Sequence, residues 1–264
     1  MDSAPYSITA TAVPGVPPVH ENDDLGEIIV KALTSSKIEL ADGDIIVVAS
    51  KVVSKAEGRA RKLDGLVPSD RAKEIAKASG KDPRIVELML RESRGVLRVK
   101  PGVVATQHNL GFVCTSAGID KSNAGDGEGM VTLLPENPDL SAQRLSAAIK
   151  NRTGKSVGVI INDSLGVEYR SGSIGMAVGL ANVPAVLRAD ERAVDLYGRK
   201  RNFCISFADE VAATASILMG QGNAGLPVVL VRGVRYPRVS GHATDLIVSE
   251  QIEADLKGAR SAPS

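Results

Sequence analysis

The sequence predicts an α+β protein, with mixed sheets and helices sharing a core of aliphatic side chains. Short apolar runs of strand-like composition are interspersed with stretches of helical periodicity. They do not follow the strict strand–helix–strand order of a doubly wound parallel sheet. Aromatic residues make up only 3% of the 264 residues and Trp is absent, so Val, Ile, Leu and Ala must fill the interior. A hydrophobic fraction of 43% and a charged fraction of 24% are ordinary for a globular chain.

Taken in order, Ser7 to Ala12 has strand composition and stops at Pro14-Gly15-Val16-Pro17-Pro18. Asp24 to Leu33 predicts a helix with Leu25, Ile28, Ile29 and Ala32 along one face. A turn at Asp42-Gly43 leads into a buried strand over 44–49, and Ser50 to Gly58 reads as chain leaving that strand. Ser69 opens a helix with Glu74 close to the capping-box position, and another helix spans about Pro83 to Arg91. Val96 to Thr106 and Phe112 to Ala117 read as strands, the second ending at Gly118-Ile119-Asp120 before a Gly-rich loop. A helix from Ser141 to about Asn151 precedes a strand, Val157 to Ile161, ending at Asn162-Asp163. An Ala-rich helix, Ala208 to Met219, runs into Gly220 and the strand Pro227 to Val231. A last helix is predicted from His242 to Leu256, giving a main domain over 1–240 and a C-terminal helix with a frayed tail over 241–264.

Composition excludes several functions. A formal net charge of +1 offers no basic field for nucleic acid or an anionic membrane. No apolar run approaches the ~18 residues of a membrane span, and the N-terminus lacks the regions of a secretory signal. Cys114 and Cys204 lie in apolar segments far apart and read as reduced core residues, so a cytoplasmic location is expected. His20, His108 and His242 show no metal-ligand spacing, and neither a Walker A sequence nor a G-x-S-x-G elbow is present.

The chemistry-bearing signals are two carboxylates just past apolar strands. Val157-Gly-Val-Ile-Ile-Asn-Asp163-Ser164 places an acid and a hydroxyl together, and Cys114-Thr-Ser-Ala-Gly-Ile-Asp120 does so for a second acid, with Ser122 and Asn123 following. Hard divalent cations take oxygen ligands, and Mg²⁺ sites commonly combine one or two carboxylates with substrate phosphates. Each acid alone is equally what a turn or N-cap residue looks like. Lys51 and Lys55, leaving the 44–49 strand, could meet a phosphate or simply be solvated. Gly220-Gln-Gly222-Asn-Ala-Gly225 spells the dinucleotide fingerprint, but a helix precedes it and a strand follows, the reverse of what that fingerprint needs. Gly220 is then either a helix C-cap or part of a loop whose backbone approaches a phosphate.

Several segments occur co-linearly: Val16-Pro17-Pro18-Val19, Ser50-Lys51-Val-Val-Ser54-Lys55-Ala-Glu57-Gly58-Arg59, Gly118-Ile-Asp120-Lys-Ser122-Asn123 and Leu133-Leu-Pro135-Glu-Asn-Pro138-Asp139. Gly158-Val-Ile-Ile-Asn-Asp163-Ser164-Leu-Gly166, Asp195-Leu-Tyr197-Gly198-Arg199, Ala208-Asp209-Glu210, Met219-Gly220-Gln221-Gly222 and Val231-Arg232-Gly233 continue the series. Together they resemble the coenzyme F-420 gamma-glutamyl ligase family from about Thr9 to Gly233. The resemblance implies an α+β fold whose two chains interlock as a homodimer. It also implies GTP-dependent addition of L-glutamate to the deazaflavin F-420-0. The GTP site would comprise Val16, Pro17, Pro18, Val19, Ser50, Lys51, Lys55, Asn123 and the loop Met219, Gly220, Gln221, Gly222, Asn223, Ala224, Gly225 and Leu226. One Mg²⁺ or Mn²⁺ would sit on Asp120 and Asp163 and a second on Ser164 and Gln221, with K⁺ as a further ion. Gln221 stands where archaeal members are expected to carry glutamate, which would leave the second metal with less ligand charge.

On this view Lys55, Asp120 and Asp163 carry the catalysis through an acyl phosphate, and Arg170 and Arg199 are candidates for holding the glutamate carboxylates. The alternatives are a ligase of the same fold acting on another carboxylate, or a non-catalytic nucleotide- or deazaflavin-binding protein.

Overall fold

A computed structural model describes residues 6–124, 129–166, 171–190, 192–248, 250 and 252–255. The fold is α+β, as the sequence predicts. Twelve strands are present among those residues: β1 (Thr9–Ala12), β2 (Ile45–Ala49), β3 (Ala60–Lys62), β4 (Ser93–Lys100), β5 (Val103–His108), β6 (Val113–Thr115), β7 (Met130–Thr132), β8 (Gly158–Gly166), β9 (Ser173–Ala181), β10 (Leu187–Arg188), β11 (Cys204–Ile205) and β12 (Val228–Arg232). The helices are α1 (Leu25–Ser35), α2 (Ser50–Ala56), α3 (Asp70–Ser79), α4 (Pro83–Arg91), α5 (Pro138–Thr153) and α6 (Phe207–Met219).

The main sheet runs β1-β12-β2-β8-β9, antiparallel throughout except for the parallel pair β2–β8. Strand β2 explains why a continuous apolar run was needed. Ile46 and Val48 pack with Ile29, Leu33, Leu145 and Ile149 of α1 and α5 on one face, whereas Ile45 and Val47 pack with Ala208, Val211 and Ala215 of α6 on the other. Both faces are dry, so no polar alternation remains. A second body packs α3 and α4 against the sheet β4-β5-β6 through Ile75, Val86, Met89 and Val104.

Several elements differ from expectation. The segment after β2 turns directly into α2 instead of leaving as loop, with Ser50, Val53 and Ser54 on its buried side. The run 96–106 is a hairpin, broken at Pro101-Gly102, where Gly102 has φ +79. Strand β9 was not anticipated, because its two glycines disfavour a strand by propensity. Packing requires both of them. A Cβ on Gly179 would lie 2.5 Å from the Pro138 backbone at the start of α5, and one on Gly175 would lie 2.6 Å from Ser216 Cβ of α6. The helix Pro138–Thr153 begins three residues early, capped by Asn137. Glu74 makes no capping box. Ser69 alone accepts the Ala72 N–H, and Glu74 pairs with Arg71. The C-terminal helix is not continuous: a 3₁₀ turn over Ala243–Leu246 ends in extended backbone at Ile247, and helical residues resume at 250 and 252–255. Both cysteines are free, but Cys204 is exposed rather than in the core. Among the described residues no helix is long and apolar enough to cross a membrane.

Candidate functional site

The parallel pairing of β2 and β8 builds the centre of the site. Their register sets Ala49 beside Asn162, so the next residues, Ser50 and Asp163, fall together. Ser50 Oγ donates to Asp163 Oδ1 at 2.7 Å. Asp163 therefore lies within β8, which continues to Gly166, and not in a turn past its end. Burial pushes its carboxyl above the ordinary range, the Ser50 and Ser164 hydrogen bonds offset part of that, and the negative charge of Asp120 adds to it.

Asp120 arrives from the other body. Ser116, Ala117 and Gly118 form a left-handed turn with φ of 60, 50 and 63°, an uncommon conformation for the first two. Asp120 then exchanges backbone hydrogen bonds with Thr132 of β7. Its Oδ1 accepts the Ser122 N–H at 2.6 Å and its Oδ2 meets Lys51 Nζ at 2.7 Å. Burial opposes its ionisation, but the Lys51 and Ser122 hydrogen bonds prevail and hold it below its ordinary value. Cys114, nearby on β6, is pushed up to about 12 by burial and by the charge of Asp163, so it is no nucleophile.

A cavity of about 440 Å³ adjoins this pair. Of the residues expected at the nucleotide, Val16, Pro17, Pro18, Val19, Lys51, Lys55, Asn123, Met219, Gly220, Gly222, Asn223, Gly225 and Leu226 line it. Ser50, Gln221 and Ala224 do not: Ser50 is turned to Asp163, and Gln221 Nε2 donates to Ser164 Oγ at 2.8 Å. Ala49, Val52 and Pro227 also line it and were not anticipated. Val52 would have been found had α2 been recognised, since it shares a helix face with Lys55 three residues on. Gly220 caps α6, as one of its two readings has it, and it also lines the cavity. Asn123 Nδ2 donates to the Gly222 carbonyl at 3.3 Å, linking the Asp120 segment to the glycine loop.

Asp120, Asp163 and Ser164 offer oxygens to a cation, whereas Gln221 turns its Nε2 to Ser164 and has its carboxamide oxygen to add. Among the described residues no group of three or more His, Cys, Asp or Glu side chains gathers as a metal cage. Asp120 and Asp163, with Ser164 and Gln221 brought into contact 57 residues apart in sequence, form a set that suits a hard divalent ion completed by substrate oxygens. An ammonium already sits on Asp120, which shows that the position favours positive charge.

The family model described as F420-0:Gamma-glutamyl ligase matches residues 15–233. The chain belongs to this family. It is 43% identical over 232 residues to the coenzyme F420:L-glutamate ligase of Methanothermobacter thermautotrophicus, covering 87% of this chain and 90% of that protein. The proteins of the same name from Archaeoglobus fulgidus and Methanocaldococcus jannaschii are 45% and 39% identical, each over 84% of this chain and over 86% and 88% of their own. The matched span contains the acid pair, α2 and the glycine loop. Arg59 lies within the family-like segment after Lys55, and nothing in its sequence neighbourhood marks a role. The structure buries it against the Leu134 carbonyl, Glu92 and Glu136, where it ties β3 to the second body. Arg199 is exposed, its N–H bonded to Asp195, and Arg170 lies outside the described residues.

Proposed function

We propose that this protein is a GTP-dependent ligase that joins L-glutamate to the carboxylate of coenzyme F-420-0 through an acyl phosphate, releasing GDP and phosphate. The observation that carries the reading is the placement of α2. This one helix begins at Ser50, which touches Asp163, and presents Lys51 and Lys55 to the cavity beside the acid pair.

A carboxylate oxygen of the acceptor attacks the terminal phosphorus of GTP, the bond to the bridging oxygen breaks and GDP leaves. The neutral glutamate amine then attacks the acyl carbon, and phosphate departs with the bonding pair and takes up the proton that the nitrogen loses. In phosphoryl transfer the protein mostly positions groups and stabilises charge. Lys55 offsets phosphate charge from α2, and backbone N–H groups of the Gly220–Gly225 loop can approach the phosphates where no side chain intervenes. Asp120 and Asp163 would hold one Mg²⁺ or Mn²⁺, and Ser164 with Gln221 a second, with K⁺ as an accompanying ion. Such ions supply stabilisation of charge on the phosphoryl and phosphate oxygens. Asp163 sits in surroundings that disfavour its ionisation, as expected of a carboxylate completed by a cation.

The same reading includes a homodimer. Val194, Leu196, Tyr197 and Phe203 are exposed on the segment between β10 and β11, with Leu196 100% and Tyr197 86% exposed, apolar surface suited to a second copy. The test is GDP release measured with acceptor and glutamate each present or omitted. Release requiring both supports the ligase, release with another carboxylate alone redirects the acceptor, and no release with retained nucleotide binding leaves a binding protein.

A further inference from the structure

Lys51 lines the nucleotide cavity and also sits on the acid pair. Its ammonium lies 2.7 Å from Asp120 Oδ2 and 2.9 Å from Ser122 Oγ, and its charge also reaches Asp163. The same side chain lines the nucleotide cavity, on a flexible four-carbon stem that is partly exposed. From this one position it can serve either anion. We infer that Lys51 is the protein's own counter-cation on the acid pair, given up to a divalent ion only when nucleotide phosphates draw the ammonium away. The inference rests on the reading above that the cavity takes a nucleotide and the acids take a metal, and it adds the order in which they fill.

Lys51 and a divalent ion compete for one carboxylate. Asp120 Oδ2 cannot offer its full charge to a divalent ion while an ammonium is bonded to it, and ammonium and metal at that spacing repel. Without nucleotide, a metal must displace Lys51 into the solvent-facing cavity with no new partner. With nucleotide, the displaced ammonium gains phosphate oxygens. Metal and nucleotide binding are therefore positively coupled through Lys51, and by linkage the coupling is the same read from either ligand. Lys121 makes a useful comparison: it carries the same charge next to Asp120 in sequence, yet it is exposed and makes no ion pair with that carboxylate among the described contacts.

Mn²⁺ binding to the full chain, followed by the electron-spin resonance signal of the free ion, tests this without any turnover. It is measured with and without a saturating non-hydrolysable GTP analogue, for wild type, Lys51→Met, Lys51→Gln and Lys121→Met. Chelation by free nucleotide is common to all four and cancels. Lys51→Met and Lys51→Gln are expected to bind Mn²⁺ alone roughly tenfold more tightly than wild type, and the strengthening by nucleotide should shrink by a similar factor. Lys121→Met should stay within about threefold of wild type. Unchanged or weaker Mn²⁺ affinity in both Lys51 variants, unchanged coupling, or an equal effect from Lys121→Met overturns the inference. Wild-type protein that binds both ligands while the Lys51 variants behave identically removes this inference alone. Wild type that binds neither removes the functional reading and this inference with it.

Discussion

Asp163 Oδ1 accepts the Ser50 hydroxyl in a position where burial disfavours the charge. Asp163→Asn keeps the volume and an acceptor for Ser50 but removes the charge a cation needs. Turnover should be lost at ordinary Mg²⁺ or Mn²⁺ with the thermal melt unchanged, and wild-type activity with the same metal dependence would make Asp163 structural. The two lysines of α2 separate by their partners. Lys55→Ala is expected to raise the GTP KM or lower kcat ten- to a hundredfold, the loss of a charge-assisted contact worth roughly 1.5–3 kcal/mol. Lys51→Ala should cost less, because the phosphate contact it loses is offset by the Asp120 pair that no longer has to be broken. Steady-state kinetics against GTP decides. Equal small effects would take Lys55 out of the site, and a larger effect at Lys51 would reverse the assignment.

Among the elements that the sequence did not show, β9 is the longest strand, and its glycines are explained by helices pressing on both faces. Gly179→Ala must push the start of α5 away from the sheet, so a loss on the order of 1–3 kcal/mol is expected as a lower melting temperature. No change would mean that α5 can shift freely. Strand β5 ends in His108, whose ring stacks on Phe112 at 5.3 Å and whose Nδ1 accepts the Leu110 N–H. Burial lowers its pKa from 6.5 to about 4, with the Arg59 and Arg94 charges acting the same way. The unfolded chain takes up a proton below pH 6.5 that the folded chain refuses until about 4. This contribution to stability is complete above pH 6.5 and declines as the pH falls towards 4. His108→Gln should flatten the denaturation midpoint against pH across that window, and an unaltered slope would exclude His108 as the source.

At the scale of the molecule, the exposed apolar segment between β10 and β11 bears on assembly. Sedimentation at micromolar concentration should give twice the 27.5 kDa chain mass, and Leu196→Asp with Tyr197→Asp should weaken the dimer. A folded wild-type monomer would contradict it. The sequence by itself determined the apolar strands β2, β8 and β12 and the capped helices α1, α3, α4 and α6. These depend on local patterning and on residues such as Asp24, Ser69 and Gly220, which act within one turn of the chain. It also singled out Asp120 and Asp163 as acids at strand ends, and the co-linear segments named the family. Only the tertiary structure decided that Ser50 meets Asp163, that Lys51 bonds Asp120 and that Gln221 meets Ser164. These contacts join residues 113, 69 and 57 positions apart, and they depend on strand register and on how two separately cored bodies meet. No spacing along one chain encodes that geometry, because a side chain's partner across a sheet is set by packing and not by its neighbours in sequence.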